Sequence, residues 1–359
     1  MNGWVLLAAL LALAGGQSFL VAHFALGGVR YSRRFSKKSL YAGESAEMIE
    51  VIRNERLLFI PWLRVESRLS PYLRLGKQEN LSVSGERYHK SIFTLRPYQQ
   101  ITRRHQARFL RRGVYEAGHV ALTAGDLLGL SSRQRQLDSS APMVVYPALL
   151  APEEVPLPVS RFQGELLVKR HLLPDPFLIQ SVRPYQYGDQ LRDIHWPASA
   201  RMGALQAKTH DYTADPRLLV VINCQMSEGQ WSDLMEYEQA VIERAISLAA
   251  TVCVRALRGG VSAGFAANMP LDETGACALL PPERHSAREE ELLAAFARLR
   301  ILRARNFLSF LEDLAFLKET DVLILSAYDS EALEEKMARL RRRGNTVTLY
   351  CLGKGGEGV

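Results

Sequence analysis

The stretch RPYQYGDQLRDIHWPASARMGALQAK, residues 183–208, decides how the chain divides. An amphipathic helix repeats its apolar residues about every 3.6 positions and a strand about every two, and this segment keeps neither period for long. Its composition is therefore set by specific contacts and not by burial alone. Arg183, Tyr185, Gly188, Asp189, Arg192, Ile194, His195, Trp196, Ser199 and Arg201 crowd into it. Two short helices are predicted inside it. Asp189, after Gly188, suits the cap of one that opens near Gln190. Pro197 suits the first turn of the next, and Gly203 its end. Arg183, Arg192 and Arg201 have Asp189, Asp193 and Asp211 as candidate ion-pair partners.

The pattern changes on either side. From Arg217 onward, apolar strands alternate with amphipathic helices. Residues 218–223 form a continuous apolar run suited to burial on both faces. Leu234, Tyr237, Val241, Ala245, Leu248 and Val252 then fall at helical spacing, stopped by Gly259 and Gly260. Strands at 261–267, 276–280, 322–326 and 346–352, with helices between, predict a mostly parallel sheet covered on both faces. Upstream, residues 40–150 read as short strands. Leu63, Val65, Ser67 and Leu69 alternate with Arg64, Glu66 and Arg68 as in a half-buried strand. That spacing of strands and turns favours a small β-sandwich. Pro147, Pro152, Pro156 and Pro158 mark a spacer, because proline lacks a backbone donor and fixes its own φ.

The 359 residues carry a formal net charge of +7, unevenly spread. Residues 30–112 hold 19 Lys/Arg against 7 Asp/Glu, whereas residues 113–359 hold 26 against 31. The basic part follows an apolar run that opens at Trp4 and closes at Leu26, with His23 as its only ionisable side chain. As a helix this run extends roughly 34 Å, against about 30 Å of bilayer hydrocarbon. Arg30, Arg33, Arg34, Lys37 and Lys38 follow it at once, so the positive-inside rule predicts a single-pass anchor in the inner or plasma membrane with a cytoplasmic body. A signal peptide cleaved after Ala14 is the competing reading, but signal peptides carry their charge ahead of the apolar run. Cys224, Cys253, Cys277 and Cys351 show no zinc-ligand spacing, which fits reduced, buried thiols.

The 183–208 segment resembles the signature of the family called domain of unknown function 58. The matching positions are Arg183, Tyr185, Gly188-Asp189, Arg192, Ile194-His195-Trp196 and Ser199 through Gly203. Weaker matches are Arg111-Arg112-Gly113-Val114-Tyr115, Asp126-Leu127-Leu128-Gly129-Leu130 and Val145-Tyr146-Pro147. Pro184, Asp193 and Pro197 depart from the pattern. The resemblance implies a von Willebrand factor A-like C-terminal half and a membrane protein that accompanies a MoxR-type AAA+ ATPase. The expected fold class is thus multidomain: an N-terminal transmembrane helix (1–29), a small β-sandwich (30–150), a Pro-rich connector (151–180), the signature segment (181–216), and a von Willebrand A-like, Rossmann-like α/β domain (217–359).

Four chemistries are on offer. A cation site of the adhesion type would use Asn223, Gln225 and Ser227, with Asp329 beyond a later strand. Without a leading aspartate these positions lack the charge a hard cation requires, so no metal is expected there. A hydrolase could draw on His195, Asp189, Asp193, Ser199, Lys208, His210 and Asp211, but no Gly-x-Ser-x-Gly elbow accompanies them. The basic charge could serve nucleic acid, yet no such motif is present and anionic lipid explains it as well. Cys224 has no neighbouring base in the sequence. The reading that emerges is a membrane-anchored, non-enzymatic adaptor without cofactor. Alternatives are a hydrolase centred on His195 with Asp189 or Asp193, and a metal-dependent ligand-binding domain.

Overall fold

Alternation of apolar and charged side chains makes strands of most of the first 148 residues. In the computed structural model these residues form one compact unit, Met1–Ala148, and the remainder a second, Leu149–Val359. The structure describes all residues except 1–2, 77–82, 85, 117–118, 130, 139–141, 173, 187–188, 190, 213–215, 231 and 353–359.

The first unit opens with helix α1 (Gly3–Phe24) and continues through β1 (Val29–Phe35), β2 (Ser39–Tyr41), β3 (Ser45–Asn54), β4 (Ile60–Arg68), β5 (Leu73–Leu75), β6 (Val83–Ser84), β7 (Glu86–Leu95), β8 (Gln100–Phe109), β9 (Gly113–Tyr115), β10 (His119–Gly125), β11 (Ser132–Asp138) and β12 (Met143–Tyr146). They form sheets of order β1-β3-β8-β5, β11-β10-β4-β7-β6 and β2-β12-β9. β4 carries the alternation read from the sequence: Leu63, Val65 and Ser67 are buried while Arg64 and Glu66 are half-buried. Ile52, Leu63, Phe93, Leu95 and Leu122 form one apolar cluster, and Met48, Phe109, Met143 and Val145 belong to another.

A charged knot lies within this apolar setting. The Arg33 guanidinium meets Glu50 at 2.5 Å, and both side chains are buried. Tyr31 donates to the same carboxylate at 2.8 Å, and Arg33 donates to Ser67 Oγ at 2.9 Å. His105 Nε2 lies 3.3 Å from the other Glu50 oxygen, and the His105 and His89 rings meet edge to face at 5.4 Å. A buried ion pair is tolerable only when the remaining polar atoms are also satisfied, and four strands, β1, β3, β4 and β8, converge to satisfy this one.

Helix α1 corrects the expected membrane crossing. Among the described residues, no helix is long and apolar enough to cross a membrane. The reason lies in packing. Val21 and Ala25, with Leu26 just beyond the helix, are buried in the Ile52–Leu122 cluster, and Ser18 is buried against the β10–β11 turn. Only residues 4–16 project clear, about 20 Å at 1.5 Å per residue, against about 30 Å of hydrocarbon.

The second unit contains α2 (Leu157–Leu172), β13 (Pro174–Pro184), α3 (Trp196–Met202), β14 (Gln206–Tyr212), β15 (Arg217–Ile222), α4 (Glu236–Arg258), β16 (Ser262–Pro270), β17 (Cys277–Glu283), α5 (Arg288–Arg298), α6 (Phe307–Asp313), β18 (Thr320–Ser326), α7 (Glu331–Arg341) and β19 (Thr346–Cys351). Much of the stretch read as a Pro-rich connector is therefore helix and strand. Pro156 and Pro158 flank the start of α2, where a missing N–H costs no helical bond. β13 and β14 form an antiparallel ribbon. The main sheet has order β17-β16-β15-β18-β19, with β17 antiparallel. Leu219, Val221, Val322 and Ile324 pack on α6 and α7, and Phe265 stacks on Phe296 of α5 with ring centroids 4.0 Å apart.

The fold class expected from the sequence is thus overturned for the chain as a whole. Ten of the fourteen strand pairings described are antiparallel, every sheet of more than two strands except the C-terminal one lies in the first unit, and that C-terminal sheet is itself mixed. The periodicity that suggested a mostly parallel, von Willebrand A-like domain over residues 217–359 reports local strand–helix alternation and is silent on strand pairing, and the sheet there is closed on one edge by the antiparallel β17.

The charged knot generates a pH prediction. Burial alone would raise the Glu50 pKa, but the His105 hydrogen bond, the Arg33 charge and bonds and the Tyr31 bond outweigh it and hold it at about 2. Burial pushes His89 below its usual range; Glu50 opposes this, while Arg33, His105 and Arg103 reinforce it. Both groups bind fewer protons folded than unfolded. His89 stabilisation is therefore present above about pH 6.5 and lost below it, and that of Glu50 is present above about 4.5 and lost towards pH 2. Thermal melts should show stability falling steadily from pH 7 to pH 3. Arg33→Met, which strands the carboxylate, should cost about 3–5 kcal/mol at pH 7; a neutral Arg33→Met would remove the knot from the stabilising interactions.

Candidate functional site

The signature segment is folded by its own polar side chains. Arg183, near the end of β13, donates from both terminal nitrogens to Asp189, at 2.8 and 2.6 Å. Such a bidentate fork fixes angle as well as distance. The Gln186 N–H donates to the same carboxylate at 2.8 Å, and the Tyr185 hydroxyl donates to the Asp189 carbonyl at 3.2 Å. The Arg183 hydrogen bond, followed by that from Gln186, holds the Asp189 carboxyl below the usual range, and Asp189 in turn raises the pKa of Arg183. Ile194 is buried and bridges Ala207 of β14.

His195 and Ser199 complete the turn into α3. His195 is the N-cap, its Nδ1 accepting from the Ala198 N–H at 3.1 Å, so Nδ1 carries no proton. The His195 backbone N–H donates to the Gln206 carbonyl at 2.7 Å. The Ser199 hydroxyl is buried, donates to the His195 carbonyl at 3.0 Å and accepts from the Gln206 N–H at 2.8 Å. Pro197 stands in the first turn of α3, and Gly203 ends it at φ 65°, a left-handed conformation that suits glycine. The predicted boundaries of this helix are the observed ones. Gly188 and Gln190, and the side chains of Arg192, His210 and Asp211, lie outside the described residues.

These bonds decide what the segment offers chemically. Ser199 Oγ is engaged by backbone groups rather than by the imidazole, and the Asp189 carboxylate is engaged by Arg183 and the Gln186 N–H. A nucleophile needs a base within hydrogen-bond reach, and this pair does not provide one. What the scaffold leaves to solvent is apolar: Trp196 is 65% exposed, Leu191 75% and Met202 70%, with Arg201 exposed beside them in α3. These side chains stand outward from a turn whose polar side chains bond within it.

At the C-terminal edge of the main sheet, Asn223 and Gln225 are buried, while Ser227 and Asp329 are exposed. Asn223 Nδ2 donates to Ser326 Oγ at 3.0 Å, and its Oδ1 accepts from the Gln225 N–H at 2.9 Å. Asn268, which the sequence reading missed, accepts from the Cys224 N–H at 2.9 Å and donates to the Arg305 carbonyl at 3.2 Å. Gln225 Oε1 accepts from the Phe307 N–H at 2.7 Å. The amides therefore supply neutral oxygens already engaged by backbone N–H groups, where a hard cation would need anionic ones. They tie the loop after β15 to the ends of β16 and β18 and to the start of α6. Burial pushes the Cys224 thiol up to about 12, which leaves it a buried, unreactive thiol.

Sequence reasoning also missed the convergence of Glu50, His89 and His105, whose potential ligand atoms lie within 4.8 Å of one another. They come from β3, β7 and β8, and each reads locally as one more polar residue in an alternating strand. The donor types suit a transition metal, but the Arg33 guanidinium already neutralises Glu50 at 2.5 Å. That contact makes the group a closed ion-pair network.

Comparison with known proteins places these features among relatives of unassigned activity. The chain is 22% identical over 255 residues to the uncharacterized protein YeaD of Bacillus subtilis (strain 168), an alignment that covers 69% of this chain and 58% of that protein. The chain thus spans little more than half the length of that relative. Among solved structures it is similar to a CARDB domain from Pyrococcus furiosus in complex with di-metal ions (13% identity, 33% of this chain and 91% of that one, TM-score 0.22). It is also similar to a Salmonella alpha-2-macroglobulin mutant (16%, 39% of this chain and 10% of that one, TM-score 0.24) and to a non-cellulosomal cohesin from Archaeoglobus fulgidus (10%, 35% and 94%, TM-score 0.21). Scores this low carry no fold assignment. Residues 181–349, which include the signature turn, α3 and nearly all of the main sheet, match the family described as protein of unknown function DUF58.

Proposed function

We propose that the chain is a membrane-attached adaptor that binds a protein partner through the signature segment and performs no catalysis of its own. One observation carries the reading: the hydrogen bonds of Arg183, Asp189, His195 and Ser199 are used within the fold, while Trp196 is held outward. Exposed tryptophan on a pre-organised turn is the kind of anchor that dominates protein interfaces, because a large rigid ring is buried at little entropic cost. Leu191 and Met202 add apolar surface within the same segment, and Arg201 adds a charged rim. The partner implied by the resemblance is a MoxR-type AAA+ ATPase. Attachment to a membrane rests on the exposed apolar part of α1 and on the basic residues Arg30 and Arg34 of β1, with Lys37 and Lys38 after it. A bilayer is the surface that accepts both kinds of group.

Two experiments bear on this reading. Purified full-length protein in detergent should bind a purified MoxR-type ATPase, and Trp196→Ala should weaken that binding by roughly 30-fold or more with an unchanged melting temperature. Equal binding by Trp196→Ala and parent would contradict the assigned surface. Ser199→Ala should instead lower stability by about 1–3 kcal/mol, because it removes the acceptor for a buried N–H. The second experiment concerns the amide network. Titration calorimetry with Mg²⁺ or Mn²⁺ should give no binding heat in the parent. Asn223→Asp should destabilise the protein, because a carboxylate oxygen would replace the Nδ2 donor to Ser326 Oγ, whose own proton is given to the Tyr328 carbonyl, measured by denaturant unfolding. Binding heat in the parent that disappears in Gln225→Ala would favour a metal-dependent ligand-binding role.

A further inference from the structure

The β10–β11 turn stands at the foot of the projecting part of α1. Ser18 of the helix donates to the Asp126 carboxylate and lies 3.1 Å from Ser131 Oγ, and Ser131 Oγ reaches the Ser18 carbonyl at 3.1 Å. Past this latch the helix runs alongside β11: Arg133 reaches the His23 carbonyl and Arg135 the Leu26 carbonyl, each at 3.5 Å. The helix therefore descends along β11 from residue 18 and projects past the turn from residue 17 back to its start. The turn is rigid. Trp62 Nε1 donates to the Asp126 carbonyl at 3.0 Å, and the indole lies so close to Gly125 that a Cβ there would sit 2.0 Å from it.

This fixed turn carries Leu127 and Leu128 at its tip, 65% and 61% exposed. Phe19 and Leu20, next to Ser18 on α1, are also exposed. Just below, the side chains of Arg56, Arg133 and Arg135 meet the carbonyls of the last helical turn and the residues after it, where cations complement the helix dipole. Apolar side chains at the tip, above a band of arginine, are layered as an anionic bilayer surface is, with hydrocarbon beyond charged headgroups.

We propose that Leu127 and Leu128 form a second bilayer contact, entering the boundary between headgroups and acyl chains beside α1. The turn thereby sets the depth and orientation at which the first unit sits on the membrane. This rests on the membrane attachment proposed above. The occupant is the lipid surface and not a protein, because the leucines are continuous with the apolar helix and backed by cationic side chains.

The test uses the full chain reconstituted from detergent into vesicles of phosphatidylethanolamine and phosphatidylglycerol. An environment-sensitive NBD label on Leu128→Cys should shift to shorter emission wavelength on vesicle binding, with identically treated parent protein setting the background from native thiols. Leu127→Ser/Leu128→Ser should lower vesicle partitioning at least about tenfold while leaving circular dichroism and melting unchanged, since both positions are exposed. Three results overturn the inference. If the parent floats with vesicles but the label stays as in buffer, the turn is not in the lipid and attachment through α1 stands. Equal partitioning of the double variant and parent would also refute it. If the parent does not float at all, attachment and turn contact fail together.

Discussion

Helix α1 is half inside the protein and half outside, and that division constrains the first unit. Its C-terminal turns supply Val21 to the same cluster as Ile52, Leu63 and Leu122, so the helix cannot be treated as a detachable tail. Its N-terminal turns leave Trp4, Val5, Leu7, Leu10, Leu11 and Leu13 exposed. At about 1.5–3 kcal/mol for each such side chain, their transfer out of water is worth on the order of 10 kcal/mol, comparable with the stability of a whole domain. A folded protein does not leave that much apolar surface in water unless something covers it. The Ser18–Asp126 latch, the Trp62–Asp126 bond and the arginines at the helix end hold this surface in one direction.

The same economy of polar groups governs the second unit. Residue types that elsewhere perform chemistry are used here to close turns. His195 caps α3, Ser199 joins that helix to β14, and Asp189 is gripped by Arg183. Asn223, Gln225 and Asn268 join the loop after β15 to β16, β18 and the start of α6 at the edge of the main sheet. Rigid turns made this way present side chains in fixed positions, and the one of greatest size that they present is Trp196. Recognition by a partner is the function proposed for this arrangement.

Much of the signature segment was legible in the sequence because its contacts are local. Pro197 and Gly203 bound α3 through backbone preferences that act within a few residues, and Arg183 finds Asp189 only six positions away. The alternation in β4 was readable for the same reason. What was not legible joins distant segments. Ser18 and Asp126 are 108 positions apart, and nothing local to the apolar run distinguishes a helix docked on a sheet from one free to cross a bilayer. Glu50 and His105 are 55 positions apart, and Asn268 reaches Cys224 across 44. The mistaken expectation of an A-like domain over residues 217–359 came from the same source, since periodicity reports strands and not their partners.

Extraction of membranes from cells that produce the full chain tests the central claim most directly. Apolar insertion of residues 4–16, aided by the turn at Leu127, as proposed, would resist both high salt and alkaline carbonate and yield only to detergent. The account predicts that the protein stays with the membrane pellet under the first two treatments and is solubilised by the third. Recovery in the soluble fraction without any treatment, or release by salt alone, would contradict it.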